Sequence, residues 1–453
     1  MIRIGTRFAL ATAALIAVGL AVTGTTGAAA APGQRGSRGS TASGSKLWQA
    51  RYTGVGGLGA FSLASTIGPD GSAVFITGGS SKKVREDGGA HAGQTLAYST
   101  STGAALWRTG YDPGHRNTSQ FDAIAVSPDG SAVYVTGNTA ATTGSPQTVV
   151  TAAYSATTGA ALWTDATTVR GSGEAVATSP DGTTVYVTGG NTISAVNAAT
   201  GATLWSDTTS GAALNEAVSP DGSTLFAKVG NAGGVLVLAV NAATGATNWS
   251  DTMDRLDVAA LTVSPNSGTL FVTGTDGVLG TSAARAQTIA FAASTGATLW
   301  TRTARSTAGG SAAHALAVSP DGASLFVTGS SDSQAGLATT WAYNAATGAS
   351  RWQRNLADFG ADEIAVSPDG SRVFTTGDGL SSSARQVFST AAYDPATGAV
   401  LWRQGGDRTG PDWYSFGTSL AVTPDSATVI ASGDLNTPDP GTRANAVTVG
   451  YGA

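Results

Sequence analysis

The sequence predicts an all-β protein: an eight-bladed β-propeller built from four-stranded antiparallel blades. Two recurring segments predict this fold. A turn of the type Ser-Pro-Asp-Gly occurs eight times, each time before a short apolar run such as residues 133–135. A second segment, which ends in Leu-Trp in its fullest form, recurs between Trp48 and Trp402. Its mean spacing is about 51 residues, and repeats of about this length with four short strands are typical of propellers.

Within one repeat, each strand follows from its residues. Residues 124–126 form strand A and residues 133–135 form strand B, because Pro, Asp and Gly suit the positions of a tight turn between them. Strand C centres on Ala153, and residues 161–163 open strand D after a Thr-Gly turn. The strands are apolar on both faces, which predicts blades that stack face to face.

The two ends of the chain predict how the ring closes. Residues 46–52 have the pattern of a strand D with no strand A, B or C before it, and residues 418–451 supply A, B and C with no D. Pairing of the N-terminal strand D with the C-terminal strands A–C completes the eighth blade and removes the exposed sheet edges. The predicted divisions are a signal peptide at 1–30, a flexible linker at 31–45 and one propeller domain at 46–453.

The N-terminus has the composition of a Sec-type signal peptide. Arg3 and Arg7 precede an apolar run at residues 8–22, and Ala28 and Ala30 form a signal-peptidase site. The run is shorter than the roughly 20 residues that span a bilayer, so we expect cleavage and no membrane span in the mature chain. The chain has no cysteine to carry a lipid. We therefore predict a secreted or extracellular protein, or one of the cell envelope, that is not a lipoprotein.

Composition limits the partners of the mature chain. Charged residues make up 12% of the sequence, and loss of the signal leaves 22 basic and 29 acidic side chains, a net charge near −7. An acidic surface gives no electrostatic basis for binding nucleic acid. Because the chain has no disulfides, its core and its ring closure must stabilise it. We expect a monomer.

One spacing resembles a known family. An Ala is followed after six residues by Gly and after four more by Trp, as at Ala97, Gly103 and Trp107. The spacing occurs seven times, with its Trp at positions 107, 163, 205, 249, 300, 352 and 402. It resembles the tryptophan-docking repeat of the pyrroloquinoline-quinone (PQQ) type propellers, whose best-known members are eight-bladed quinoprotein dehydrogenases. The turn segments and Val-Tyr-Val-Thr-Gly runs also resemble the YVTN-repeat propellers.

The resemblance implies that the repeated tryptophans are structural. Each ring would lie between adjacent blades and bury on the order of 200 Å². The residues concerned are Trp48, Trp107, Trp163, Trp205, Trp249, Trp300, Trp352 and Trp402. The resemblance does not extend to the enzymes' cofactor site, because they hold PQQ beneath a disulfide of adjacent cysteines and bind Ca²⁺ through long insertions. The sequence has neither feature, and non-catalytic envelope assembly proteins share the repeat.

The loops predict where a binding site would lie. Strands alternate in direction, so the uniform A–B and C–D turns share one face and the variable B–C and D–A loops share the other. Five residues before the first residue of each A–B turn, four blades carry Asp122, Glu174, His314 and Asp362. These side chains are predicted to ring the mouth of the central channel. They could bind a divalent cation such as Ca²⁺ or act as acid and base; alternatively, they are simply the polar lining of a water-filled channel.

A second candidate site is aromatic. Trp413 and Tyr414 lie in one long D–A loop and could bind a sugar or a peptide. Phe61, Phe121 and Phe359 occupy comparable positions, which favours packing against the next blade.

The sequence favours a non-catalytic binding scaffold whose partner is a protein or a cell-envelope polymer. It contains no recognisable catalytic motif, no cofactor is expected, and the catalytic and metal-binding residues, if any, are unknown. An enzyme with its site in the channel is the alternative, either a divergent quinoprotein oxidoreductase or a metal-dependent hydrolase or lyase. A structural spacer is the third hypothesis.

Overall fold

The computed structural model describes residues 43–81, 91–112, 118–141, 145–231, 234–278, 281–304, 309–331, 337–357, 359–380, 386–405, 414–436 and 445–453. These residues form eight four-stranded antiparallel sheets, which confirms the predicted eight-bladed propeller. A short 3-10 turn, Val55–Gly57, precedes the first complete blade.

The first four complete blades follow one another along the chain. Blade 1 consists of β2 (Ala60–Ile67), β3 (Ala73–Ser81), β4 (His91–Ser99) and β5 (Ala105–Tyr111). Blade 2 consists of β6 (Thr118–Val126), β7 (Ala132–Ala140), β8 (Thr148–Ser155) and β9 (Ala161–Arg170). Blade 3 consists of β10 (Gly173–Thr178), β11 (Thr184–Gly189), β12 (Thr192–Asn197) and β13 (Thr203–Thr208). Blade 4 consists of β14 (Ala213–Val218), β15 (Thr224–Asn231), β16 (Gly234–Asn241) and β17 (Thr247–Met253).

The remaining blades complete the ring. Blade 5 consists of β18 (Leu256–Val263), β19 (Thr269–Asp276), β20 (Arg285–Ala292) and β21 (Thr298–Ala304). Blade 6 consists of β22 (Ser311–Val318), β23 (Ser324–Ser331), β24 (Leu337–Asn344) and β25 (Ser350–Leu356). Blade 7 consists of β26 (Glu363–Val366), β27 (Val373–Leu380), β28 (Gln386–Tyr393) and β29 (Val400–Gly405). Blade 8 consists of β30 (Tyr414–Val422), β31 (Thr428–Asn436), β32 (Asn445–Gly452) and the first strand, β1 (Lys46–Tyr52).

Closure joins the first strand to the last three, as the two incomplete ends of the sequence predict. β1 pairs antiparallel with β32, with Gln49 opposite Val449. The backbone N–H of Gly44, just before β1, donates to the Gly452 carbonyl at 2.7 Å. Strand A of every blade contacts strand A of the next, and β30 contacts β2, so these eight strands surround the central axis.

A tryptophan on strand D connects each blade to the next. Trp163 is typical: its Nε1 donates to the Ala198 carbonyl of blade 3 at 2.9 Å. Its ring lies on Gly201, where a Cβ would meet the indole at 2.8 Å. Equivalent Nε1 bonds of 2.6–3.0 Å join Trp48, Trp107, Trp205, Trp249, Trp300 and Trp352 to carbonyls of the following blade. The Trp402 ring packs on Gly44, so the docking contact also closes the ring, although its Nε1 has no hydrogen-bond partner among the described residues.

The A–B turns are closed by their own hydrogen bonds. In blade 2, Ser127 Oγ donates to Asp129 Oδ1 at 2.6 Å, and the same oxygen accepts the Ser131 N–H at 3.0 Å. These hydrogen bonds lower the pKa of Asp129, and the bond from the Ser127 hydroxyl has the largest effect. Gly130 has φ +73° and lies against Pro69 of the preceding blade. The repeated Asp therefore stabilises the turn.

Buried threonines connect strands B and C inside the blades. Thr136 Oγ1 donates to the Val150 carbonyl at 3.1 Å and lies 3.1 Å from Thr151 Oγ1. In blades 1, 5, 6 and 7, the threonine of the Thr-Gly segment on strand B makes the same two contacts, one with a strand C carbonyl and one with a strand C threonine. Blades 3 and 4 depart from this pattern. Thr188 has no hydrogen-bond partner for its Oγ1, and Lys228 replaces the threonine in blade 4.

The two ends of the strands form two different surfaces. The C–D turn contacts the A–B turn of its own blade, as where Thr100 Oγ1 donates to the Gly71 carbonyl at 2.6 Å. We call this surface the turn face. At the other end, a D–A loop contacts a B–C loop where the Gly171 N–H donates to the Gln147 carbonyl at 3.0 Å. We call this surface the loop face, and the alternation of strand directions predicts both.

Replacing a docking glycine should destabilise the ring more than replacing a glycine whose Cβ would meet open space. Gly201 (φ +72°) and Gly56 (φ +64°) both have left-handed backbones, but a Cβ at Gly56 has no atom within 4 Å. We expect Gly56→Ala to cost about 1 kcal/mol through its φ alone. Gly201→Ala should cost about 2–4 kcal/mol, because the methyl group also displaces Trp163. Equilibrium denaturation measures both, and equal losses would contradict the docking role.

Candidate functional site

The predicted channel positions coincide with a backbone irregularity in the innermost strand of each blade. In seven blades the pairing of strands A and B shifts register at this residue, which is Leu63, Asp122, Glu174, Leu214, Ala259, His314 or Thr418. In blade 7, Asp362 lies just before β26 and donates its N–H to the Thr376 carbonyl at 2.9 Å. A bulge redirects the side chain that it carries. The repeat thus places one side chain per blade at an equivalent irregularity of the innermost strand, and whether these side chains reach the channel stays a prediction.

The four predicted polar residues form two separate pairs. Asp122 and Glu174 belong to the adjacent blades 2 and 3, and the charge of Asp122 raises the pKa of Glu174. His314 and Asp362 belong to the adjacent blades 6 and 7, where Nδ1 lies 3.2 Å from Oδ1. In a ring of eight blades, blades 2 and 3 lie opposite blades 6 and 7. The structure therefore shows two small clusters on opposite sides of the ring.

The first cluster, between blades 2 and 3, holds Asp122 in a network of hydrogen bonds. Asp122 is 5% exposed, and its Oδ1 accepts from Gln120 Nε2 at 2.5 Å. Its Oδ2 accepts from the Ser172 hydroxyl, which in turn accepts from Asn138 Nδ2 at 3.0 Å. Sequence spacing did not identify Gln120, Asn138 or Ser172, because they come from two strands and a loop that only the folded ring brings together.

The carboxyl groups of this first cluster titrate close to neutral pH. Burial raises the pKa of Asp122 to about 6, even though hydrogen bonds from Ser172, Gln120 and Asn138 lower it. Burial and the charge of Asp122 raise the pKa of Glu174 to about 7. One carboxyl group can therefore release a proton while its neighbour keeps one, an arrangement that suits acid–base chemistry as well as a polar channel lining.

The second cluster, between blades 6 and 7, orients an imidazole. His314 Nδ1 lies 3.2 Å from Asp362 Oδ1 and 3.2 Å from the Ala361 carbonyl oxygen. Both partners are acceptors, so Nδ1 carries a proton and donates to them. The His314 side chain is 29% exposed, and both of its protein contacts use Nδ1. Nε2 is therefore the ring nitrogen that can meet a ligand or water in the channel.

Asp378 on β27 extends the second cluster. Burial, then the charge and hydrogen bond of Asp362, raise the pKa of Asp378 to about 6. Burial alone would raise the pKa of Asp362, but bonds from His314 and Asp378 and the charge of His314 lower it. Burial would likewise lower the pKa of His314, yet the bond and charge of Asp362 raise it. Below the raised pKa of about 6, a protonated Asp378 thus supports an Asp362 carboxylate that orients His314.

Neither cluster has the ligand geometry of a metal site. Over the described ranges, no group of three or more His, Cys, Asp or Glu side chains is placed to hold a metal ion. Ca²⁺ takes six to eight oxygen ligands, whereas both oxygens of Asp122 already accept hydrogen bonds. The residues therefore do not fit a Ca²⁺ site in this arrangement, and the binding role of the four predicted residues stays a prediction.

The aromatic candidate stays a prediction as well. Trp413 lies outside the described residues. Tyr414 is the first residue of β30, where its backbone pairs with Asn436.

Comparison with known proteins identifies the repeat. A PQQ-type family model described as outer membrane protein assembly factor BamB matches residues 145–317 and 232–404, which together exceed half of the chain. No curated protein sequence matches the chain. The described residues contain no helix with the length and hydrophobicity that crossing a bilayer requires.

Several solved structures share the fold. Sqt1 from Chaetomium thermophilum has a TM-score of 0.61 at 14% identity, over 90% of this chain and 98% of that one. The C-terminal WD40 domain of Sif2 has a TM-score of 0.58 at 10% identity, over 89% and 97%. BamB from Moraxella catarrhalis has a TM-score of 0.50 at 18% identity, over 90% and 97%. At these identities, the similarity shows the fold alone.

Removing the Asp362 charge should lower the pKa of His314. In the wild type we expect this pKa above the ordinary 6.5, because the carboxylate stabilises the imidazolium. In Asp362→Asn the pKa of His314 should fall, because burial then dominates. The stability that His314 contributes is fully present below pH 6.5 and is lost as the pH rises through the folded-state pKa.

Proton NMR of the imidazole checks this prediction. The chain has three histidines, so loss of one Hε1 signal in His314→Gln assigns the resonance. An unchanged pKa in Asp362→Asn would show that the two side chains do not interact in solution.

Proposed function

Because the chain belongs to the PQQ-repeat family described as outer membrane protein assembly factor BamB, we propose that it is an exported, non-catalytic scaffold that binds another protein through its loop face. Family membership is the observation that carries the proposal. The family description names an assembly factor, which is a role in which one protein contacts another. A cell-envelope polymer is the other partner that the sequence allows.

The turn face supports the choice of the loop face as the binding surface, because the turn-face side chains already bond or pack within the protein. Its Ser and Asp side chains bond to their own turns, and its Pro and Gly residues pack against the adjacent blades. These uniform turns offer a partner few free groups. The loop face varies from blade to blade and includes exposed side chains such as Val278, which is 70% exposed. Rigid scaffolds commonly present binding residues on such loops.

A specific observation favours a second function, an enzyme with its site in the channel. Asp362 orients His314 so that Nε2 is available, and the raised pKa of Asp378 lets this carboxyl group hold a proton below about pH 6. A carboxylate behind an imidazole is the arrangement by which many enzymes set a histidine as a general base. The channel contains no nucleophile bonded to that Nε2 among the described residues. Water would therefore be the group that His314 activates.

Cross-linking from single cysteines tests the binding surface. The chain contains no cysteine, so each introduced thiol is unique. Ser210→Cys and Val278→Cys place a photo-cross-linker on the loop face, and Thr157→Cys and Ala243→Cys place it at exposed positions of the turn face. We expect the same protein adduct from both loop-face variants and none from the turn-face pair, measured by mass spectrometry of adducts formed with an envelope fraction.

Leu204→Cys on the outer strand of blade 3 serves as a control for random encounter, because its side chain is 54% exposed. Adducts of equal yield from the turn face or from Leu204→Cys would contradict loop-face binding.

Mass and metal analysis of the purified protein separates the two functions. We expect an intact mass that lacks residues 1–30, together with neither metal nor quinone in stoichiometric amount. Retained metal or a quinone absorbance would favour the channel enzyme over the scaffold. An intact mass that includes the first thirty residues would contradict export with cleavage.

A further inference from the structure

Blade 4 differs from the other blades at one buried position of its innermost strand. The second residue after the bulge of strand A packs on the preceding blade and is aliphatic in six blades. These residues are Ile124, Val176, Leu261, Leu316, Ile364 and Leu420, and all are buried. Blade 1 has Ser65, whose hydroxyl lies 2.7 Å from Ser419 Oγ. Blade 4 has Glu216, opposite Ala227 on β15.

Glu216 is buried without a hydrogen bond to replace the water that its carboxyl group loses. Its side chain is 1% exposed, and neither carboxyl oxygen has a hydrogen-bond partner. Burial raises the pKa of Glu216 to about 8. The backbone of Ala177, on β10 of blade 3, lowers this pKa by a smaller amount, although its N–H does not reach hydrogen-bonding geometry.

Among the described residues of the surrounding strands, no cationic side chain compensates Glu216. From β11 of blade 3 the titratable group is Tyr186, whose pKa rises through burial and through the charges of Asp181 and Glu216. Lys228 lies on the neighbouring strand β15 but is directed to blade 5. Its Nζ donates to the Val258 carbonyl and lies 3.8 Å from Asp257 Oδ1.

The same interface contains a second unsatisfied group. Thr188 lies two residues after Tyr186 on β11, so both side chains leave the same face of the strand, which packs on blade 4. The Thr188 Oγ1 has no partner because β12 carries Ile193 where other blades carry threonine. The interface between blades 3 and 4 therefore combines three unpartnered polar oxygens with an otherwise apolar core.

We propose that the interface between blades 3 and 4 is a proton-controlled opening point of the ring, with Glu216 as its control. While its carboxyl group is neutral, the two blades stay packed together. Ionisation places an unpaired charge between them, and the charge regains water when blade 3 separates locally from blade 4. The six interfaces with aliphatic residues at this position carry no ionisable group there. This inference does not depend on the proposed binding function.

The direction and range of the pH effect follow from linkage. In the open state Glu216 reaches water and its ordinary pKa of 4.5, whereas burial in the closed state raises its pKa to about 8. The closed state thus binds the extra proton and is favoured at low pH. Opening should increase by up to about tenfold per pH unit between these two values and level off above them.

Hydrogen exchange of the full mature chain tests the proposal. After correction for intrinsic rates, protection of amides in β10, β11, β14 and β15 should fall by up to about 100-fold between about pH 5.5 and about pH 7.5. Glu216→Gln should remove the contribution of Glu216 to this dependence, because its side chain cannot ionise, whereas the contribution of Glu174 on β10 stays the same in both proteins. Glu216→Leu should have the same effect and also raise protection, because leucine occupies the position in blades 5, 6 and 8.

A matched variant transfers the effect to another interface. Leu316→Glu places a carboxyl group at the equivalent position of blade 6, and pH-dependent exchange should then appear in blades 5 and 6. Wild-type protection at blades 3 and 4 that does not change with pH would overturn the proposal. So would pH dependence of equal size in Glu216→Gln, a result that remains informative if Glu216→Leu or Leu316→Glu does not fold.

Discussion

Every blade is held to its neighbour by an indole that lies on a glycine, and the rest of the structure depends on this contact. The Trp163 ring occupies the space that a Cβ at Gly201 would need, and its Nε1 satisfies the Ala198 carbonyl. Trp402 repeats this contact on Gly44, which makes ring closure an instance of the same packing rule.

The docking contact at the outer strand is the same in every blade, whereas residues of the innermost strand differ between blades. One position per blade lies at the bulge of strand A, or just before strand A in blade 7, and its side chain is polar in blades 2, 3, 6, 7 and 8. The position two residues further along the strand faces the preceding blade, where a charged group is tolerated only at a cost in stability. Glu216 is the carboxyl group at that position, and its neighbours in the interface provide no cation to compensate it. The candidate site and the packing between blades thus depend on positions two residues apart on the same strands.

The candidate site was predictable in part. The five-residue spacing before the turn identified Asp122, Glu174, His314 and Asp362, because a repeat fixes equivalent positions without any knowledge of contacts. The spacing did not separate them into two pairs, because pairing depends on the order of blades around the ring. It also missed Asp378 and Ser172. Asp378 lies on strand B of blade 7, where it bonds to Asp362, and Ser172 lies in the loop between blades 2 and 3, where it donates to Asp122.

The sequence alone determined the blade number, the strand order and the closure, because each depends on local turn chemistry that is repeated once per blade. It also supplied the tryptophan and glycine positions on which the docking rests. The tertiary structure decided which polar side chains meet, which lose their contact with water and which nitrogen of His314 is available. Those properties arise between blades, where the environment of a side chain is set by residues about fifty positions away in sequence, roughly one blade length.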